Sequence, residues 1–226
     1  MKTAAANSLS GKNILVTGGM GFIGSNLAIK LVGLGANVTV VDALIESLGS
    51  NEFNVHDVKE KVKVVVGDVR DKKIVTELVK GKDFIFHLAG QVDHHRSVQQ
   101  PFEDLDIRCN GTLALLEACR KHNSEAKIVY SGTRAEYGAV KNLPATEETP
   151  TKPIGMYAIT SLAAENMILM YNRLYGIRAS ALRITNTYGP RHQMKKPYGI
   201  VNWFIRRLMD KQPIEVMGDG KVLRDY

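Results

Sequence analysis

Six short apolar runs recur along the chain, each four to six residues long and bounded by Gly, Asp or Asn. They are Asn13–Thr17, Asn37–Val41, Val62–Val66, Phe84–Leu88, Ile128–Ser131 and Ala179–Ile184. Their length and their Val, Ile and Leu content predict buried strands. Between them lie longer segments with helical spacing of apolar positions: Phe22–Leu34, Lys73–Lys80, Pro101–Lys121 and Tyr157–Tyr175. Strands alternating with helices imply right-handed crossovers and a parallel sheet covered on both faces. The expected class is therefore α/β, a Rossmann-type doubly wound sheet. Such a sheet binds ligands at the carboxyl ends of its strands, so chemistry is sought just after each one.

Length and composition change this picture little. The chain has 226 residues, 44% hydrophobic and 23% charged, an ordinary balance for a globular protein. No apolar run approaches the roughly 20 residues that span a bilayer. Met1–Lys12 lacks the apolar core of a signal peptide, which makes the cytoplasm the expected location. The two cysteines, Cys109 and Cys119, fall in one predicted helix about 15 Å apart along its axis. They are expected to be reduced structural thiols, and no metal site is expected. The net charge of +7 is spread along the chain, with its densest cluster at Arg191, His192, Lys195 and Lys196. That distribution argues against a nucleic-acid partner.

The first strand runs into Thr17-Gly18-Gly19-Met20-Gly21-Phe22-Ile23-Gly24. Gly18 permits a tight turn, Gly21 lets a pyrophosphate approach the backbone, and Gly24 lets helix and strand pack closely. Phe22 and Ile23 open the helix whose amides would hold the diphosphate. Asp42 ends the second strand, 18 residues beyond Gly24. A carboxylate there accepts hydrogen bonds from ribose hydroxyls and repels a 2′-phosphate, so NAD is expected over NADP. Asp68 and Val69 follow the third strand and are placed at the adenine. Leu88-Ala89-Gly90 follows the fourth and runs under the cofactor. His87 by itself reads as a packed strand residue.

These motifs, with Gly111-Thr112, Ser131–Gly138, Tyr157, Arg183–Pro190 and Gly218–Tyr226, resemble the extended short-chain dehydrogenase/reductase family. That family includes NAD-dependent nucleotide-sugar 4-epimerases, 4,6-dehydratases and decarboxylases. The resemblance runs from about Lys12 to Tyr226, and the UDP-glucose 4-epimerase-like branch is the nearest. It implies that Thr133, four residues before Tyr137, hydrogen-bonds the sugar 4-hydroxyl while Tyr157, also a cofactor contact, removes its proton. It implies further that Gln91, Asn186, Arg191 and Arg224 meet the nucleotide sugar. A homodimer formed through the helices Pro101–Lys121 and Tyr157–Tyr175 is implied as well. Residues 1–11 read as a tail, 12–186 as the NAD-binding domain, and 187–226 as the start of a small C-terminal substrate domain that looks truncated.

Two departures stand out. The family tyrosine is followed four residues later by lysine, and here Ser161 holds that place. Three residues before Gly111, where the family usually has Asn, stands Arg108. The lysine anchors the nicotinamide ribose and stabilises the phenolate. A tyrosine's ordinary pKa is about 10, so ionising one at neutral pH costs about 4 kcal/mol without nearby positive charge. Three readings stand side by side: a catalytically impaired relative that binds without turnover, an altered residue in a once active enzyme, or a cation relocated to Arg108. Dehydratases follow their threonine with an Asp-Glu pair. Arg134 and Ala135 stand here instead, with Glu136 one position off, so dehydration is disfavoured and 4-epimerisation is the expected chemistry.

Overall fold

The computed structural model describes residues 8–45, 48–194, 199–216, 218–221, 223 and 225–226. Among these residues six strands form one parallel sheet: β1 (Asn13–Thr17), β2 (Asn37–Asp42), β3 (Val62–Val66), β4 (Phe84–His87), β5 (Lys127–Thr133) and β6 (Ala179–Ile184). Their spatial order is β3-β2-β1-β4-β5-β6, so the order reverses beside β1. That reversal opens a crevice at the strands' carboxyl ends.

Successive side chains of a strand face opposite sides, and β1 uses both. Ile14 and Val16 join one core with Val38, Val40 and Leu31. Leu15 joins the other with Ile85, Leu115, Ile128 and Ile168. Each such buried aliphatic side chain contributes about 1.5–3 kcal/mol. Covering the two faces are α1 (Phe22–Gly33), α2 (Lys72–Val79), α3 (His94–Gln99), α4 (Pro101–Leu105), α5 (Gly111–His122) and α6 (Met156–Tyr175), with α7 (Ile200–Met209) following β6. Asp71 caps α2 by accepting from the Lys73 and Ile74 amides, and Gly176 ends α6 in the left-handed region.

The structure departs from the sequence expectation in a few places. β4 stops at His87: the Leu88 amide is shared between the Thr17 carbonyl and hydroxyl, both at 3.2 Å, and the Ala89 amide goes to that hydroxyl at 3.1 Å. The single helix expected over Pro101–Lys121 is interrupted by a π-turn at Asp106–Asn110. Within it Ile107, Arg108 and Cys109 are all buried. The short α3 and α7, and the 3₁₀ turns Glu52–Lys61 and Arg134–Tyr137, were not foreseen. Cys109 and Cys119 are free and buried. Among the described residues no helix is long and apolar enough to cross a membrane, and no cluster of metal-ligating side chains occurs.

Candidate active site

A cavity of about 310 Å³ opens at the switch point of the sheet. Its floor is the glycine loop. Gly18 has φ +66°, and its amide donates to Val41 O at 2.9 Å, tying the loop to β2. A Cβ on Gly24 would stand 2.1 Å from Gly18 O, so only glycine lets α1 begin this close to the turn. Gly21 caps α1 with no side-chain hydrogen bond, and the first turn holds no acid. The amides and positive end of α1 are therefore available to an anion.

Asp42 borders the same cavity. Its Oδ2 accepts from the Met20 amide and its Oδ1 from the Leu44 amide, both at 3.0 Å, which fixes a carboxylate at the end of β2. Asp68 and Val69 also line the cavity. Asp68 is gripped by Arg70, at 2.9 Å to Oδ1 and 2.6 Å to Oδ2, and that hydrogen bonding holds its carboxyl below the ordinary range. Leu88, Ala89 and Gly90 form a wall. Behind them the Thr17 hydroxyl meets His87 Nδ1 at 2.8 Å, and His87 Nε2 meets Thr112 at 3.0 Å. Burial pushes His87 down to about 4, so it is a neutral strut between β1, β4 and α5, as a packed strand histidine should be. This strut also accounts for the Gly-Thr pair at 111–112.

The other end of the cavity holds Thr133, Tyr157 and Arg108. Thr133 ends β5, and its hydroxyl accepts from the Ala135 amide at 3.2 Å. Tyr157 stands in the first turn of α6. Arg108 projects inward from the π-turn, 5% exposed, with its guanidinium carbon 4.8 Å from the centre of the Tyr157 ring. One guanidinium nitrogen donates to the Gln91 carbonyl, and a Cβ on Gly90 would stand 2.9 Å from another. Gly90 thus leaves room for a cation rather than for a backbone turn. Burial works to lower the Arg108 pKa, but the phenols of Tyr130 and Tyr157 and the Asp104 carboxylate raise it on balance. Ser161 is buried, and its hydroxyl donates to Tyr157 O in its own helix at 2.7 Å.

The remaining expected residues are less uniform. Gln91 lines the cavity, yet its side-chain amide is bound to the Asp93 backbone. Asn186 lines a smaller adjoining cavity with Thr133, Arg134 and Tyr157, and its amide donates to Asp225 O at 2.8 Å. Arg191 is turned away from both cavities and donates to Asn26 Oδ1 on α1. Arg224, Lys195 and Lys196 lie outside the described residues. His94 escaped sequence reasoning, and His192, read there only as part of a basic loop, meets the site through its ring. His94 packs its ring 4.3 Å from Tyr157, and His192 stacks on Phe22 at 4.4 Å. A His-His-Arg run and a basic loop carry no signal of either contact.

A doubly wound parallel sheet with a glycine-rich turn at its switch point and an acid at the end of β2 defines a dinucleotide-binding enzyme fold. The chain belongs to the NAD dependent epimerase/dehydratase family, whose model matches residues 14–226. Its cofactor is NAD. The UDP-glucose 4-epimerase of Mycolicibacterium smegmatis is 34% identical over 94% of this chain and 68% of its own length. The CDP-paratose 2-epimerase of Salmonella typhi is 34% identical over 94% and 70%. The UDP-glucose 4-epimerase of Thermotoga maritima, solved with UDP-glucose, superposes with a TM-score of 0.87 at 32% identity, covering 95% of this chain and 68% of that one. Relatives of this kind are nucleotide-sugar epimerases and dehydratases, which makes that the general activity of the family.

Proposed function

We propose that the protein is a nucleotide-sugar 4-epimerase whose catalytic base is Tyr157 and whose missing lysine is replaced by Arg108. The observation that carries this reading is the buried guanidinium lying 4.8 Å from the Tyr157 ring centre. The guanidinium places a fixed positive charge against the ring that would carry the base. Arginine cannot deprotonate, so it favours the phenolate without relaying its proton.

Gly18, Gly21, Phe22, Ile23 and Gly24 would hold the NAD diphosphate, and Asp42 would take the adenosine ribose. Leu88, Ala89 and Gly90 would lie under the cofactor. The cofactor, when bound, supplies a reversible hydride acceptor for carbon 4. Tyr157 takes the proton of the 4-hydroxyl, and Thr133 fixes that oxygen. Asp68 and Val69 support the adenine end, and Asn186 with Gln91 borders the sugar nucleotide. Residues 12–186 are the NAD-binding unit on this reading, and 187–226 begin the substrate region.

Dehydration needs a further acid and base at the sugar. Glu136, the one carboxylate close in sequence to Thr133, is fully buried and hydrogen-bonded to the Thr133 amide at 2.9 Å. It is absent from the lining of either cavity. That placement supports epimerisation over loss of water. A second reading is a protein that binds NAD and a nucleotide sugar without turnover. Ser161 favours it, because its hydroxyl is spent on its own helix and offers a ribose little.

Chromatography of products after incubation with NAD and a panel of UDP-, GDP-, CDP- and dTDP-hexoses and hexuronates separates the two. Interconversion of a pair differing only at carbon 4 is the expected result. Bound NAD with no sugar converted would overturn the epimerase reading in favour of binding alone.

The homodimer is proposed on the apolar side chains that α4, α5 and α6 leave exposed, namely Phe102, Leu105, Leu113, Ile159 and Leu169. Phe102 is 87% exposed. A stable interface buries at least about 1,000 Å², and a charge at its centre is not tolerated. Phe102→Glu should halve the mass measured by light scattering with NAD binding kept. An unchanged mass, or a monomeric parent protein, removes this interface.

A further inference from the structure

A closed carboxylate pair lies behind Thr133. Glu136 stands in the 3₁₀ turn that leaves β5, at 0% exposure. Its Oε1 accepts from the Thr133 amide at 2.9 Å, which completes a capping box with the Thr133 hydroxyl. Its Oε2 makes no hydrogen bond, although Arg183 Nε lies 3.3 Å away. Glu165 of α6 holds the same guanidinium through both oxygens, at 2.6 and 3.1 Å. Arg183 comes from β6, and its guanidinium carbon also sits 4.7 Å from the centre of the Tyr137 ring.

Two buried carboxylates facing one guanidinium leave a negative charge uncompensated. An unpaired charge in such a place costs several kcal/mol, and proteins commonly remove it by taking up a proton. Two phenols face the same cluster: Tyr137, which Arg183 also engages, and Tyr130 of β5, which burial pushes up to about 12 and which pairs with Arg108 rather than lending that cation to Glu136. Burial, and then the neighbouring Glu165, push the Glu136 carboxyl up to about 8. Burial also works to raise Glu165, but its two hydrogen bonds from Arg183 hold it below its ordinary value.

We propose that Glu136 and Glu165 hold one proton between them, and that this neutralised pair positions Thr133 for its contact with substrate. Glu136 touches neither cavity, so it is a positioning residue acting through the Thr133 turn. The role of Thr133 rests on the epimerase reading above; the shared proton does not. With the proton gone, a second negative charge is confined beside Glu165, and the turn that presents the Thr133 hydroxyl loosens.

The sign follows from the direction of the shift. Glu136 is raised above its ordinary value, so its protonated state, and the stability that comes with it, is complete at low pH. It is lost as pH rises through about 8. An alkaline fall in turnover that E136Q removes belongs to the carboxylate pair.

The test follows kcat of the NAD-loaded protein, and the infrared carbonyl stretch of protonated glutamate in protein carrying labelled glutamate, from about pH 6 to about pH 10. In the parent protein the stretch should be present at neutral pH and fade above about 8, with kcat falling about tenfold per pH unit beyond the midpoint, as for one proton. In E136Q the stretch should be missing and the alkaline limb of kcat flattened, with KM little changed. A merely structural glutamate would lower stability without altering the pH profile. The proposal is overturned by absence of the stretch in the parent protein at neutral pH, by its survival in E136Q, or by an alkaline limb that E136Q retains. If no nucleotide sugar is converted, the epimerase reading fails and the infrared titration of the parent protein still decides the shared proton. That titration needs no substitution, so it also decides the matter if E136Q does not fold.

Discussion

Arg108→Ala should lower kcat by a factor on the order of 10² to 10⁴, the usual worth of a positioned acid or base, while NAD remains bound. The substitution removes the cation that lies over Tyr157 and leaves the Gln91 carbonyl without its donor. It therefore also costs about 1–3 kcal/mol of stability. The two effects separate in the paired variant Arg108→Asn with Ser161→Lys. That pair moves the cation from the π-turn to α6, four residues after Tyr157, and should bring kcat back to within about tenfold of the parent. Measuring kcat and the melting temperature of both variants decides the matter. Normal turnover by Arg108→Ala would end the idea that the charge has moved. Failure of the pair, with NAD still bound, would mean that position 108 does more than supply charge.

Gly24→Ala should weaken NAD binding at least a hundredfold, or about 2.8 kcal/mol. The new Cβ would stand 2.1 Å from Gly18 O and 2.8 Å from Gly19 Cα, and both are backbone atoms with nowhere to go. Relief requires α1 to slide away from the turn, which takes its N-terminal amides off the diphosphate. Overpacking of this kind also costs about 1–3 kcal/mol in the unliganded protein. Gly33→Ala is the matched control, because a Cβ there meets nothing within 4 Å and it lies at the far end of the same helix. Calorimetric titration with NAD should leave the control unchanged. Equal affinity in Gly24→Ala would remove the glycine loop from the cofactor site.

Much of this fold was legible because its determinants are local. Asn13–Thr17, Val62–Val66 and Ala179–Ile184 form strands with the bounds that their apolar runs predict. A run of Val and Ile ended by Gly or Asp carries both its conformation and its stopping point in neighbouring residues. The glycine spacing of 18, 21 and 24 was equally readable, since the need for a missing Cβ is a property of the turn itself. The departure at Ser161 was visible as well. Its hydroxyl returns to a carbonyl one helical turn back, a common fate of serine inside a helix.

The placement of charge was less legible. Arg108 could have been a solvated helix residue, and sequence offered its proximity to Tyr157 only as one reading among three. Its burial depends on how the segment between α4 and α5 packs against α6, far along the chain. The His94 ring reaches Tyr157 across 63 residues of sequence, and nothing in the run Asp93-His94-His95-Arg96 announces it. Glu136 looked like a displaced dehydratase acid beside Thr133. In the folded chain it faces inward to Arg183 and Glu165, two residues supplied by other elements. By itself the sequence determined the alternation of strands and helices, the NAD-binding turn and the identity of the acid, base and threonine candidates, because each is encoded in short-range spacing. Only the tertiary structure decided which cation meets the tyrosine and which carboxylate is sealed away, because burial and charge pairing are set by side chains that are neighbours in space alone.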